Sequence, residues 1–219
     1  PTPSAAKATT TLPPESRRAL SPGALGQALV IVLSHPRVRL YLAALTFSFT
    51  IMLMWISSVA PIFARDFNRA ESFPLWFALA ALLSAPSSLI NARLVLRLGM
   101  ARLIGASLMV QMLASLIALA GFGLDLPIAG FALFFGFMLV QFAAHGFLIG
   151  NLHALALEPM GHVAGMTASV MGGVSTVGAA LLAWGLGILH PGSPAYLALT
   201  SLVCLILALS SMAWARRTG

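Results

Sequence analysis

The chain has 219 residues, of which 59% are hydrophobic and only 8% charged, with a formal net charge of +7 and a mean hydropathy of +0.97. A soluble domain carries roughly a quarter charged residues, so this composition excludes a water-clothed globule and indicates a polytopic membrane protein. The basic residues are scattered among apolar runs rather than gathered in one patch, which argues against nucleic acid as a partner.

Residues 1–24 are rich in Pro, Ser, Thr and Ala and carry Arg17 and Arg18. They read as a solvated arm, with no basic-then-apolar signal sequence at its head. The run ALGQALVIVLS, 24–34, is too short to span a bilayer and suggests a short surface helix. Residues 1–37 are therefore expected to lie outside the membrane.

A spanning helix needs about 20 apolar residues. Six runs meet that length, at 38–63, 73–95, 101–122, 126–153, 161–189 and 194–215, leaving 216–219 as a tail. They are continuous rather than alternating, which selects helices over barrel strands. The expected fold class is an all-α integral membrane bundle with six transmembrane helices. RDFNRAES, GFGLDLP, EPMG and HPGSP separate the runs. The fourth and fifth runs exceed one bilayer thickness, so tilt or protruding ends are expected.

Direction follows from the positive-inside rule. With the amino terminus inside, the cytoplasmic side carries Lys7, Arg17, Arg18, Arg37, Arg39, Arg93, Arg97, Arg102, Arg216 and Arg217, and the outside only Arg65 and Arg69. Both termini are expected in the cytoplasm. The stretch NARLVLRLGMAR, 91–102, then reads as an inner loop between the second and third spans. A buried arginine face there would cost about 2.5–3.5 kcal/mol or more per charge.

The first span carries Thr46, Thr50, Ser57 and Ser58, the second Ser84, Ser87, Ser88 and Asn91, and the third Ser107, Gln111 and Ser115. The fourth carries Gln141 and His145, the fifth Ser169, Ser175 and Thr176, and the sixth Thr200, Ser201, Cys204 and Ser211. Spacings of three, four and seven place many of these on one helical face. Interhelical packing explains hydroxyl groups well. Gln111, Gln141 and His145 are larger, and at mid-span they need a partner or water. For His145 the alternatives are a ring satisfied by a neighbouring amide, a substrate or proton site, or a haem or metal ligand. The last lacks a second histidine at clearly matching depth, so no metal or cofactor is expected.

Aromatic and methionine side chains crowd the first and fourth spans: Phe47, Phe49, Met52, Met54 and Trp55, then Phe131, Phe134, Phe135, Phe137, Met138 and Phe142. They suit either lipid-facing filler or an adaptable apolar pocket. Thr46, Phe47, Thr50, Met54, Trp55, Gln141 and His145 together form the candidate substrate cavity. GFLIG (146–150) and GHVAG (161–165) have small-xxx-small spacing, and Gly161, Gly165 and Gly172 are candidate helix-packing positions. Pro61 and Pro86 remove backbone donors and predict kinks. No acidic residue falls at mid-span: Asp66, Glu71 and Asp125 lie outside, Glu15 and Glu158 inside. No plausible catalytic set is present, so an enzyme is not expected. The lone cysteine, Cys204, forms no internal disulfide.

Six helices with both ends inside, a basic inner stretch and a Pro-rich charged arm resemble the carboxy-terminal half of a major facilitator superfamily transporter. The branch that looks most similar is the bicyclomycin-resistance-type (Bcr/CflA-like) drug:proton antiporters. TLPPESRR resembles the central cytoplasmic linker, with Thr10 where that family usually has glutamate. HPRVRLYLAAL and SSVAPIF are similar to its seventh helix, and EPMGHVAGMTASVMGG to the entry of its eleventh. The family's loop motif, Gly-x-Leu-x-Asp-Arg-x-Gly-basic-basic, falls on 92–101. Leu94, Arg97 and Gly99 match it and Arg102 lies just beyond. Leu96 replaces the acid, and Ala92, Met100 and Ala101 also depart. The resemblance implies a 3+3 inverted repeat in a bacterial inner membrane, with the first, second, fourth and fifth spans lining a cavity. It implies export of hydrophobic drugs or small metabolites by alternating access. An amino-terminal six-helix half, on the same or a separate chain, would be the partner and supply proton coupling; a homodimer is the other arrangement. The alternative is a non-transport scaffold or sensor bundle whose polar stripes only pack.

Overall fold

The computed structural model describes residues 22–124, 130–189 and 192–218, and their regular structure is helical throughout. In chain order the helices are α1 (Pro22–Ser34), α2 (Pro36–Arg65), α3 (Phe73–Ser84), α4 (Pro86–Leu98), α5 (Met100–Gly123), α6 (Phe131–Leu157), α7 (Ala164–Leu189) and α8 (Pro194–Arg217). A 3-10 segment, Glu158–Val163, joins α6 to α7. Six stretches are long and apolar enough to cross a membrane: α2, α3 with α4, α5, α6, α7 and α8. The protein is a multi-pass membrane protein.

Local chemistry explains most helix ends. Prolines stand in the first turns of α2, α3, α4 and α8, where the missing N–H is not needed. The Ser193 hydroxyl accepts from the Tyr196 N–H at 3.2 Å and caps α8. Gly130 is extended, with φ −137° and ψ −177°, so α6 starts at Phe131. Residues 126–129 of the expected fourth span lie outside the described residues. At its other end α6 runs to Leu157, beyond the expected 153. The second span divides at Ala85, immediately before Pro86, as the missing donor predicts. Ala85 itself keeps helical angles and bonds to the Ala81 carbonyl at 2.9 Å, so helical geometry carries through the division. Pro61 is contained within the continuous α2.

The stretch 91–102 is not a loop. Asn91 to Leu98 complete α4, Met100 starts α5, and the connection is Gly99 alone, at φ +79°. A left-handed angle of this kind favours glycine, because a Cβ would crowd the backbone. Leu94 and Arg97 are therefore helical, with Leu94 half-buried and Arg93, Arg97 and Arg102 exposed.

Helix α2 lies at the centre, packed on α6, α7 and α8; α5 packs on α6 and α8. Helices α3 and α4 lean on α6, and α1 lies against α7 and α2. The aromatic residues of the first and fourth spans are neither lipid filler nor an open pocket at their centre. Trp55, Phe63 and Phe134 are fully buried and Phe137 nearly so. Trp55 meets Phe134, Phe137 and Phe142 at centroid distances of 5.4, 4.9 and 6.1 Å, and Phe63 meets Phe131 edge-on at 5.2 Å. Such pairs contribute about 0.5–1.5 kcal/mol each beyond contact area. The Arg69 guanidinium closes this cluster, 4.3 Å from the Phe131 ring centroid and 5.8 Å from that of Trp76.

Candidate functional site

The polar side chains nearest the middle of the bundle form one hydrogen-bonded belt. On α5, Gln111 and Ser115 are one turn apart, as are Gln141 and His145 on α6, so each pair shares a face. The Ser115 hydroxyl donates to the Gln111 carbonyl at 2.8 Å and accepts from Gln141 Nε2 at 3.0 Å, tying α5 to α6. His145 Nδ1 lies 2.7 Å from the Gln141 carbonyl oxygen. Its Nε2 lies 3.0 Å from the Ser48 carbonyl oxygen, which carries the belt onto α2. The Ser48 hydroxyl donates back to Ala44 at 2.9 Å. Three helices are thus joined near mid-length by side chains that a purely apolar seam would not need.

The belt is incompletely satisfied. Gln111 Nε2 and Oε1 and Gln141 Oε1 are buried without a hydrogen-bond partner, and so is the Trp55 indole N–H. An orphaned buried polar group costs about 1–3 kcal/mol, and Gln111 carries two although its side chain is fully enclosed.

The candidate cavity residues divide. Gln141 and His145 belong to the belt. Thr50, Met54 and Trp55 are buried in the core, and Thr46 and Phe47 are half-buried. The Thr46 hydroxyl donates to Leu42 at 2.8 Å and that of Thr50 to Thr46 at 2.9 Å, each one turn back in α2. Hydroxyls satisfied in this way carry no free polar function into the bundle. Among the described residues, no three His, Cys, Asp or Glu side chains cluster as metal ligands would.

The glycines also divide. A Cβ on Gly161, Gly165 or Gly172 would meet nothing within 4 Å, so none of the described helices closes on these candidate packing positions. Close approaches occur instead at Gly121, where a Cβ would come 2.6 Å from Leu133 Cδ2, at Gly192, 3.1 Å from Ser58 Oγ, at Gly178, 3.0 Å from Thr46 Cγ2 on α2, and at Gly146. At Gly146 a Cβ would collide with Ser87 Oγ and stand 3.1 Å from Ser87 Cβ and 3.2 Å from the Ser88 amide nitrogen on α4. Near that contact Asn151 Nδ2 donates to Asn91 Oδ1 at 2.8 Å, a second tie between α6 and α4. Sequence reasoning overlooked Asn151. Its spacing from Ser87 and Asn91 carries no signal until the two helices are placed side by side.

Comparison with protein-family models, curated proteins and solved structures gives no match.

Two spans are left open at the sides. Only 11% of the α3–α4 span and 17% of α7 are buried, against 39–50% for the others. On α7 the open surface has two characters. Val177, Leu181, Trp184 and Ile188 make an exposed ridge of large side chains. Beside it Gly165, Ser169, Gly172, Thr176 and Ala180 recur at three- and four-residue spacing as a stripe of small ones. On α3 and α4, Leu75, Leu82, Leu89 and Leu96 stand outward at seven-residue intervals and are 70–87% exposed.

Proposed function

We propose that the chain is one six-helix half of a secondary transporter of the major facilitator type, exporting hydrophobic drugs or small metabolites from a bacterial cytoplasm. The observation that carries this reading is the way the spans pair. Exchange the first span with the fourth, the second with the fifth and the third with the sixth. The α2–α8 packing then becomes α6–α5, α2–α7 becomes α6 with α3 and α4, and α2–α6 and α5–α8 become themselves; all these pairs are in contact. The exchanged spans would cross in opposite directions, and this pairing fits an inverted repeat. Transporters commonly contain such repeats and move one bundle against another around a site near the bilayer midplane.

The open sides support the same reading. Large outward side chains suit lipid, whereas the small stripe on α7 suits a second helix that packs closely. A second six-helix bundle, on the same polypeptide or another, is the partner of matching character. The substrate route would then run along the side between α7 and the α3–α4 span. Basic residues crowd the ends of α4 and α8 and the starts of α2 and α5, which supports a cytoplasmic side for both termini on the positive-inside rule. The resemblance of the arm and of the fifth-span entry to drug:proton antiporters points to apolar substrates and to proton coupling supplied mainly by the partner half.

The test is uphill movement of a lipophilic cationic dye by the complete gene product in proteoliposomes under an imposed pH gradient. Dye extrusion that ceases when the gradient is collapsed is the expected result. Dye neither bound nor moved would overturn the transport reading. The burial of Trp55, Thr50 and Gln141 favours a second reading, a scaffold or sensor bundle whose polar groups only pack. That reading requires Gln141→Leu to change stability alone, without any change in dye binding.

A further inference from the structure

His145 sits where both of its ring nitrogens face acceptors. Nδ1 lies 2.7 Å from the Gln141 carbonyl oxygen and Nε2 lies 3.0 Å from the Ser48 carbonyl oxygen. A carbonyl oxygen accepts and cannot donate, while a neutral imidazole has one N–H donor and one lone pair. The neutral ring therefore satisfies one contact and turns a lone pair toward the other oxygen. Changing tautomer only moves the mismatch from one side to the other. A half-turn of the ring would set carbon atoms against both oxygens and lose both bonds. An imidazolium, with two N–H donors, satisfies both.

We propose that His145 is a proton-binding site, and that the bound proton bolts α2 to α6 at the centre of the bundle. The two contacts differ in what they join. The Gln141 carbonyl is one turn back on α6, so that bond is local, whereas the Ser48 carbonyl belongs to α2. The neutral ring keeps the shorter local bond through Nδ1–H and loses the bond to α2. Taking up one proton from water places N–H on Nε2 and adds a bond across the seam; releasing it to water removes that bond and leaves the aromatic packing of α2 on α6. No other bond forms or breaks.

Among the described residues, no Asp, Glu, Lys or Arg lies near the middle of the spans around it. Helix α2 carries Arg37, Arg39, Tyr41 and Arg65, all away from Ser48 along the chain. Helices α4 and α5 carry Arg93, Arg97 and Arg102 near their common end, and α3 and α7 carry no titratable side chain. Helix α8, packed on α2 and α5, carries Tyr196 near its start, the buried Cys204 near mid-length, and Arg216 and Arg217 at its end. The segment after α6 contributes Glu158 and His162, and α6 itself contributes His153. Tyr41 and His153 are the nearest along their own helices, roughly 10–12 Å by helical rise from Ser48 and His145. With no carboxylate close by, the two carbonyl dipoles are what receive the charge. The unpaired Gln141 Oε1 and Gln111 amide atoms make this level of the bundle more polar than the apolar core around it. The inference rests on the bundle's own geometry and does not depend on transport.

The experiment uses the full chain in lipid nanodiscs with nitrogen-15-labelled histidine. H145Q identifies the His145 signals among the five histidines. Acidification is expected to convert one His145 ring nitrogen from a lone-pair to an N–H shift. Spin labels at Ala64 and Ala132, exposed residues on α2 and α6, are expected to report a narrower distance distribution at acid pH, with no such pH dependence in H145Q. A ring that keeps a single N–H at every pH where the chain stays folded overturns the proposal. So does a distance change of equal size in H145Q. Should H145Q fail to fold, a variant with the other four histidines replaced by glutamine isolates the same ring signals and label distances. Loss of dye transport alone bears only on the transporter reading.

Discussion

Gly146 and Gly150 are one turn apart on α6 and belong to the same small-xxx-small pattern, yet their surroundings differ. A Cβ at Gly150 would meet nothing within 4 Å, whereas one at Gly146 would strike Ser87 and approach the Ser88 backbone at 3.2 Å. Replacing glycine by alanine in a helix interior brings roughly 0.5–1 kcal/mol of intrinsic gain. Gly150→Ala should show that gain alone. Gly146→Ala takes the same gain but forces α4 away from α6, an overpacking penalty of typically 1–3 kcal/mol. It also strains the Asn91–Asn151 bond, because the helices cannot part at Ser87 without parting there. The difference between the two variants cancels intrinsic propensity and should be about 1–3 kcal/mol, with Gly146→Ala the less stable. Reversible unfolding in mixed micelles, followed by circular dichroism, measures it. Ser87→Gly in the Gly146→Ala background should recover only part of the loss, since the Ser88 amide remains in the way. Equal stability of the two alanine variants would falsify the close approach of α4 to α6.

Two other outcomes follow from the same geometry. Gln111→Leu removes two orphaned amide atoms and should leave stability unchanged or raise it by roughly 1–3 kcal/mol; a loss above about 1 kcal/mol in the same unfolding assay would mean that bound water or another partner satisfies the amide. A reporter active only in the cytoplasm, fused to the carboxy terminus, should be active, because arginines dominate the end of the bundle that holds the last turn of α8; an inactive but membrane-inserted fusion would reverse the orientation.

The spans were legible because a bilayer demands a run of about 20 apolar residues, and that demand is written residue by residue. The ends were legible where a proline marks them, as at Pro194. The one-residue turn at Gly99 was hidden, because arginines at a helix end and arginines in a loop are equally well placed to reach the headgroup region. Gln141 and His145 stood out as large polar groups at mid-span, but their partners did not. His145 bonds to carbonyl oxygens of Gln141 and Ser48, and every residue has a carbonyl, so no side-chain pattern announces which one is used. The aromatic side chains misled for a related reason. A stripe of Phe and Trp suits lipid, pocket and core alike, and only the neighbouring helix decides that Trp55 is enclosed.

The positions of the belt and the open sides bear on how a bundle of this kind would work. The belt joins α2, α5 and α6 inside the half, while the open surface lies on α3, α4 and α7 and borders α2 and α6. A substrate moving along that surface need not touch His145. What it would meet is the pair of helices that the ring holds together. The bond from His145 to Ser48 adds resistance to sliding of α2 against α6 beyond that of the Trp55 and Phe63 packing, and without it only the packing resists. On the proposed reading, proton uptake therefore acts through the stiffness of the α2–α6 contact, on which α7 and the α3–α4 span are mounted. This form of coupling asks for no carboxylate in the spans, and none is found at mid-span. The polar atoms needed are two backbone carbonyls and one imidazole, placed near the middle of the two helices from which the outer ones hang.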